Sequence, residues 1–185
     1  MSRLAAAPKQ LSGLWGEALT VKALRDLGFE VEWQGGLTTG KDLIASRGGA
    51  VWHVQVKSTQ KPNGWVAWTG DGTRARELDA RAKATGAAGA FYVLVQIWTP
   101  GEANFDLESG QLTISAPPDA VLVALGAEKF AGDVDAERKS YAETKRVRVG
   151  RAGEAIGTFH REDGVIYPLR TGDYSYLTEF AANLP

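Results

Sequence analysis

The most constraining feature of this chain is the alternation Val51-Trp52-His53-Val54-Gln55-Val56-Lys57-Ser58, preceded by a Gly48-Gly49 pair. A period of two is the pattern of a strand with one face buried. Trp52, Val54 and Val56 then point one way, and His53, Gln55 and Lys57 the other. Just upstream, Lys41-Asp42-Leu43-Ile44-Ala45-Ser46 reads as a second strand. Two glycines between such runs favour a two-residue hairpin turn. With the turn at Gly48-Gly49, Arg47 pairs with Ala50, Ala45 with Trp52, Leu43 with Val54, and Asp42 with Gln55. That register buries every apolar residue on one face. It also gathers Asp42, Gln55 and Lys57 near one strand end, placing a carboxylate, a neutral oxygen ligand and a cation within reach of each other. The plainer alternative is an exposed cross-strand ion pair between Asp42 and Lys57, worth about 0.2–1 kcal/mol. The strand pattern alone leaves both open.

Upstream of the hairpin the pattern from Gln10 to Leu27 is helical. Leu11, Leu14, Ala18, Val21 and Leu24 recur at three- and four-residue steps, and Gly28 follows as a C-cap. At about 100° per residue, Glu17 falls between Val21 and Leu24, inside that apolar arc. A carboxylate on a buried face is costly unless a cation or metal meets it. An acid near the helix start, favoured by the helix dipole, is the plainer reading. Gly13 and Gly16 allow close approach of the helix to a sheet.

The other elements follow from local pattern. Phe29 to Trp33 alternates as a first strand, and Trp65 to Trp68 is a short strand after the Lys61-Pro62-Asn63-Gly64 turn. Arg74 to Ala84 reads as a helix ended near Gly86. Ala90 to Trp98 is the most apolar run and suits a central strand buried on both faces. Beyond Pro100, Phe105–Leu107 and Leu112–Ile114 suggest a hairpin. Asp119–Lys129 and Val134–Lys145 suggest helices, Ala155–His160 and Val165–Leu169 a second hairpin, and Asp173–Leu184 a last helix.

Composition limits the chemistry. The 185 residues, 44% hydrophobic and 23% charged, suit a soluble protein with a sizeable core. No apolar run has the length of a transmembrane helix, so no membrane partner is expected. The absence of cysteine removes thiolate metal sites and fits a cytoplasmic location. With only His53 and His160, any metal is held by oxygen, which favours magnesium, calcium or manganese. The net charge of −1 supplies no global basic field for nucleic acid, so binding would need a local groove. Lys145, Arg146, Arg148 and Arg151 form the densest basic stretch and are candidate phosphate contacts. Arg74, Arg76, Arg81 and Lys83 read rather as a solvated helix face mixed with Glu77 and Asp79. Trp65 and Trp68 could stack on bases, although tryptophans near a sheet more often pack in its core.

Gly13-Leu14-Trp15-Gly16-Glu17, Leu27-Gly28-Phe29-Glu30-Val31, Asp42-Leu43-Ile44-Ala45 and Val54-Gln55-Val56-Lys57-Ser58 together, in this order and spacing, resemble the PD-(D/E)XK nuclease superfamily. The nearest branch is that of archaeal-type Holliday junction resolvases and restriction-endonuclease-like proteins. The resemblance covers roughly the first hundred residues. It implies an α/β, restriction endonuclease-like core of helix, three strands, helix and strand over residues 1–100. Residues 101–185 would be a C-terminal α+β extension packed on or beside that core.

The resemblance also implies site roles. Asp42 would ligate a divalent cation, Gln55 would stand at the second acid, Lys57 would be the active-site lysine and Glu17 the helix acid. Lys41 stands where the family has proline, which affects little. Gln55 in place of an acid removes a negative charge from the metal site; some members resemble this variant. Magnesium, with manganese as a substitute, would be bound by Asp42, the Gln55 amide oxygen and the Val56 carbonyl. Glu17 could act through water. The expected activity is metal-dependent endonucleolytic hydrolysis of DNA. The rival expectation is a catalytically silent nuclease-fold module that binds nucleic acid or a protein partner, for example in a defence or mobile-element system. By analogy a homodimer is expected, with a protein partner supplying DNA recognition as a further option.

Overall fold

The structure, a computed structural model, describes residues 8–34, 41–60, 65–67, 71–99, 102–106, 111–116, 119–140, 146–148, 158–160, 166–168 and 180–184. The elements in chain order are α1 (Pro8–Asp26), β1 (Glu30–Trp33), β2 (Leu43–Arg47), β3 (Ala50–Thr59), β4 (Trp65–Ala67), α2 (Thr73–Ala84), β5 (Gly89–Thr99), β6 (Glu102–Asp106), β7 (Gln111–Ala116), β8 (Asp119–Gly126), α3 (Ala127–Ser140), β9 (Arg146–Arg148), β10 (Thr158–His160) and β11 (Ile166–Pro168). A mixed five-stranded sheet in the order β1-β2-β3-β5-β8 forms the centre. The α/β core therefore runs helix, strands, helix, strand, as the sequence suggests.

The β2–β3 hairpin has the expected register, with Leu43 opposite Val54, Ala45 opposite Trp52 and Arg47 opposite Ala50. Gly48 and Gly49 take φ of 61° and 85°, a pair of left-handed residues that only glycines adopt cheaply and that matches the strand twist. β3 and β5 are parallel, joined by α2 as a crossover, with Gln55 beside Tyr92 and Lys57 beside Leu94. One sheet face, with Leu43, Trp52, Val54, Val56 and Phe91, packs under α1. The other, with Ala90, Tyr92 and Leu94, packs under α2 and α3. β5 is buried from Phe91 to Ile97, as its apolar run implies.

Helix α1 ends as expected at Gly28, with φ of 82° and a Phe29 N–H bond to the Leu24 carbonyl at 3.0 Å. Its buried face is not the expected one. Trp15, Gly16, Leu19, Thr20, Ala23 and Leu24 are buried, whereas Leu14 is 41% exposed and Ala18 and Val21 are half-buried. Gly16 explains the rotation. A Cβ there would lie 2.6 Å from the Ser58 Cβ, so α1 presses its glycine onto the end of β3. Gly13 has no such neighbour.

The expected helix over Asp119–Lys129 is also overturned: residues 119–126 form β8, antiparallel to β5, with Tyr92 opposite Leu125 and Leu94 opposite Val123. Ala120 to Leu125 is apolar on both faces, which suits a covered strand as well as a helix, and the open side of β5 decides. Helix α3 correspondingly begins at Ala127 rather than Val134. It docks on α2, where Asp135 Oδ1 accepts the Gly72 N–H at 2.9 Å and Asp135 Oδ2 pairs with Arg76 at 2.8 Å.

The two expected C-terminal hairpins appear as β6–β7 and β10–β11. Of the expected last helix, residues 180–182 are helical and 173–179 lie outside the described residues. Ala181 enters the α1-side core, Phe180 packs on Phe91 with ring centroids 5.2 Å apart, and Arg47 Nη2 donates to the Ala181 carbonyl at 2.5 Å.

Candidate active site

Asp42 sits immediately before β2, where its backbone N–H still bonds the Val54 carbonyl at 2.9 Å. The hairpin thereby aims its carboxylate across at β3. Oδ2 accepts the Val56 N–H at 2.7 Å and a side-chain N–H from Gln55. Lys57 lies two residues beyond Gln55 on the same face of β3, half-buried. Glu17 reaches this strand end because the Gly16–Ser58 crossing places the next residue of α1 beside it. Its Oε2 accepts the Trp33 indole N–H at 2.5 Å. Glu17, Asp42, Gln55 and Lys57 are thus brought together at one end of the sheet, between the α1 layer and the α2 layer.

The electrostatics of the cluster run against charge. Burial pushes the Asp42 carboxyl above its ordinary value, and the Val56 N–H, Lys57 and Gln55 only partly offset it. Glu17 is likewise pushed up by burial, against the Trp33 bond, with the Asp42 charge adding to the rise and Lys57 opposing it. The Lys57 ammonium is pushed down by burial; Asp42 and Glu17 pull it back, and Arg74 on α2 pushes it further down. Half-buried ionisable groups held away from their charged forms, with charge partners beside them, are candidates for a functional site.

The donor set fits a hard divalent cation. Magnesium keeps several waters and needs one or two protein carboxylates, and Asp42 and Glu17 are two that lie close enough to act on each other. Among the described residues no three His, Cys, Asp or Glu side chains converge as ligands, and the neutral oxygens beside Asp42 belong to Gln55 and Val56. Gln55 turns its amide nitrogen to Asp42, and ligation requires the amide to present its oxygen instead.

Over 63% of this chain and 73% of the other, the architecture is similar to the solved structure of Archaeoglobus fulgidus Hjc, a Holliday junction resolvase from an archaeal hyperthermophile, with a TM-score of 0.42 and 15% sequence identity. No family model matches the chain. No curated protein matches it.

One residue at the cluster, Trp33, is not apparent from sequence pattern, whereas His53 lies where the alternation of β3 puts it. Trp33, at the end of β1, anchors Glu17; the alternation of exposed Glu30 and Glu32 with half-buried Val31 and Trp33 was the available signal. His53 lies on the Gln55 face of β3 and is buried; burial lowers its pKa, with Lys41 and Arg81 adding to the effect. Of the basic stretch, Arg146 and Arg148 belong to β9, which pairs with β4 through Ala67 and Trp65. Lys145 and Arg151 lie outside the described residues, as does Trp68.

Proposed function

We propose that this protein is a metal-dependent endonuclease that hydrolyses DNA phosphodiester bonds at the Glu17–Asp42–Gln55–Lys57 cluster. The observation that carries the reading is the convergence of Asp42, Glu17 and Lys57, each pushed by burial toward its uncharged form. Such an arrangement costs stability when nothing is bound and becomes favourable once a cation and a phosphate enter.

Asp42 and Glu17 would hold the cation, with the Gln55 amide oxygen and the Val56 carbonyl as neutral donors. When bound, magnesium or manganese acidifies a coordinated water and draws charge from a nonbridging phosphate oxygen. Lys57 steadies the charge that accumulates as the water oxygen bonds to phosphorus and one P–O ester bond breaks, the departing oxygen taking a proton. A preorganised donor of this kind contributes about 10²–10³ in rate.

A second reading, a silent module that binds nucleic acid or a protein, draws support from the Gln55 side chain donating to Asp42. Purified protein incubated with linear, supercoiled, branched and single-stranded DNA and with RNA separates the two. Cleavage in Mg²⁺ or Mn²⁺ that stops in EDTA, falls about 10²–10³-fold in Lys57→Ala and vanishes in Asp42→Asn is expected. DNA retained but uncut under every condition favours the binding module.

A further inference from the structure

The four cations of α2 divide into two opposite flanks. Arg74 and Arg81 are seven residues apart and so fall within about 20° of each other around the helix; Arg76 and Lys83 do the same on the far side. The second pair is committed to the fold. Arg76 bridges Asp135 at 2.8 Å and Glu128 at 3.4 Å on α3, and Lys83 pairs at 2.6 Å with Asp79, which also accepts the Ala90 N–H. Among the described residues Arg74 and Arg81 form no ion pair, and both are exposed.

The charges of the first pair are felt at the site, whose Gln55 and Lys57 lie beside Tyr92 and Leu94 on the sheet face that α2 covers. Arg74 is near enough to depress the Lys57 ammonium, and Arg81 acts on His53 and Tyr92, the latter paired with Gln55 across β3 and β5. Lys41, next to Asp42, also acts on His53. Seven residues of helix separate Arg74 from Arg81 by about 10.5 Å along the axis.

We infer that Arg74 and Arg81 form a phosphate-binding track on α2, which holds a nucleic-acid backbone against the Asp42–Lys57 site. Guanidinium groups suit phosphate through paired N–H donors. The net charge of −1 means that backbone binding must come from such a local track rather than from the protein's overall field. Glu77, exposed and lying between the two arginines in sequence, opposes phosphate there and limits affinity. The track rests on the nuclease reading only for its substrate class, since it is tested by binding rather than by cleavage.

The experiment is fluorescence anisotropy with a fluorescein-labelled mixed-sequence duplex and a labelled four-way junction, in EDTA, across a salt series. Losing two phosphate contacts lowers the slope of log K against log salt by about 1.8. Arg74→Ala with Arg81→Ala is expected to show that fall, whereas Arg74→Lys with Arg81→Lys keeps the wild-type slope. Arg76→Gln with Lys83→Gln is expected to leave the slope unchanged, and Glu77→Gln to tighten binding. A wild-type slope in the Arg74/Arg81 alanine variant, or an equal fall in the Arg76/Lys83 variant, overturns the track. Wild-type protein that binds neither DNA overturns the track, and the nuclease reading then stands or falls on the cleavage assay alone.

Discussion

Trp33 Nε1 donates to Glu17 Oε2 at 2.5 Å, so the last residue of the first strand fixes the direction of the carboxylate that α1 brings to the cluster. The indole holds one carboxylate oxygen, Oε2.

Trp33→Phe keeps most of the packing and removes the donor. Because that bond lowers the Glu17 pKa, its loss raises it further. If Glu17 helps to hold the cation, the Mg²⁺ concentration for half-maximal cleavage rises about 10–100-fold, the usual cost of losing an orienting partner. A titration of rate against Mg²⁺ at fixed pH checks this, and an unchanged midpoint with a lowered maximal rate rules it out.

The same groups give a stability prediction of definite sign. An acid whose folded pKa is raised stabilises the fold fully below its ordinary pKa, and that contribution is lost as pH rises through the folded value. Glu17 and Asp42 are of this kind, above ordinary values of 4.5 and 3.8. In EDTA, Glu17→Gln should therefore match wild type in Tm at acid pH and exceed it at neutral pH. Thermal melts across pH would sink the idea if the variant were the less stable of the two at pH 7. A gain in stability with a loss of activity is the trade expected at a functional site.

Gln55→Glu replaces a donor to Asp42 with a second negative charge. Without metal the two carboxylates repel, so the variant should melt lower than wild type in EDTA. With Mg²⁺ present the order should reverse, because a ligand that binds only the folded state stabilises it. Melting curves with and without Mg²⁺ measure both halves, and the same order in both conditions argues against Gln55 as a ligand.

Gly16→Ala tests how α1 is positioned. Its added Cβ would meet the Ser58 Cβ at 2.6 Å and the Ser58 Oγ at 3.0 Å. Overpacking of this sort costs about 1–3 kcal/mol, and it should also displace Glu17 from the strand end. Ser58→Gly should rescue much of the loss in the double variant, and chemical denaturation of the four-member cycle shows whether it does.

The hairpin was legible in the sequence because two local signals, the period-two run and the Gly48-Gly49 turn, agree on one register. Asp42 and Gln55 follow from it directly. The orientation of α1 was not legible, since the face against the sheet carries Gly16, Thr20 and Ala23, small residues that hydrophobic periodicity passes over. Glu17 nevertheless reaches the cluster, at the margin of the buried face rather than within the expected stripe. β8 was hidden because an apolar run without alternation does not distinguish strand from helix. The Trp33–Glu17 bond joins elements whose packing no local pattern specifies.

The Arg47–Ala181 bond spans 134 residues, and with Phe180 on Phe91 it closes the α1-side core far along the chain from the β2–β3 hairpin. Loop closure of that length is entropically costly and slow relative to the local β2–β3 turn. Synthesis therefore produces the whole Glu17–Lys57 constellation long before residues 180–184 emerge, and the sheet spends that interval with one apolar edge unsealed. The charged site can form early, while final closure of the core waits for residues 180–184.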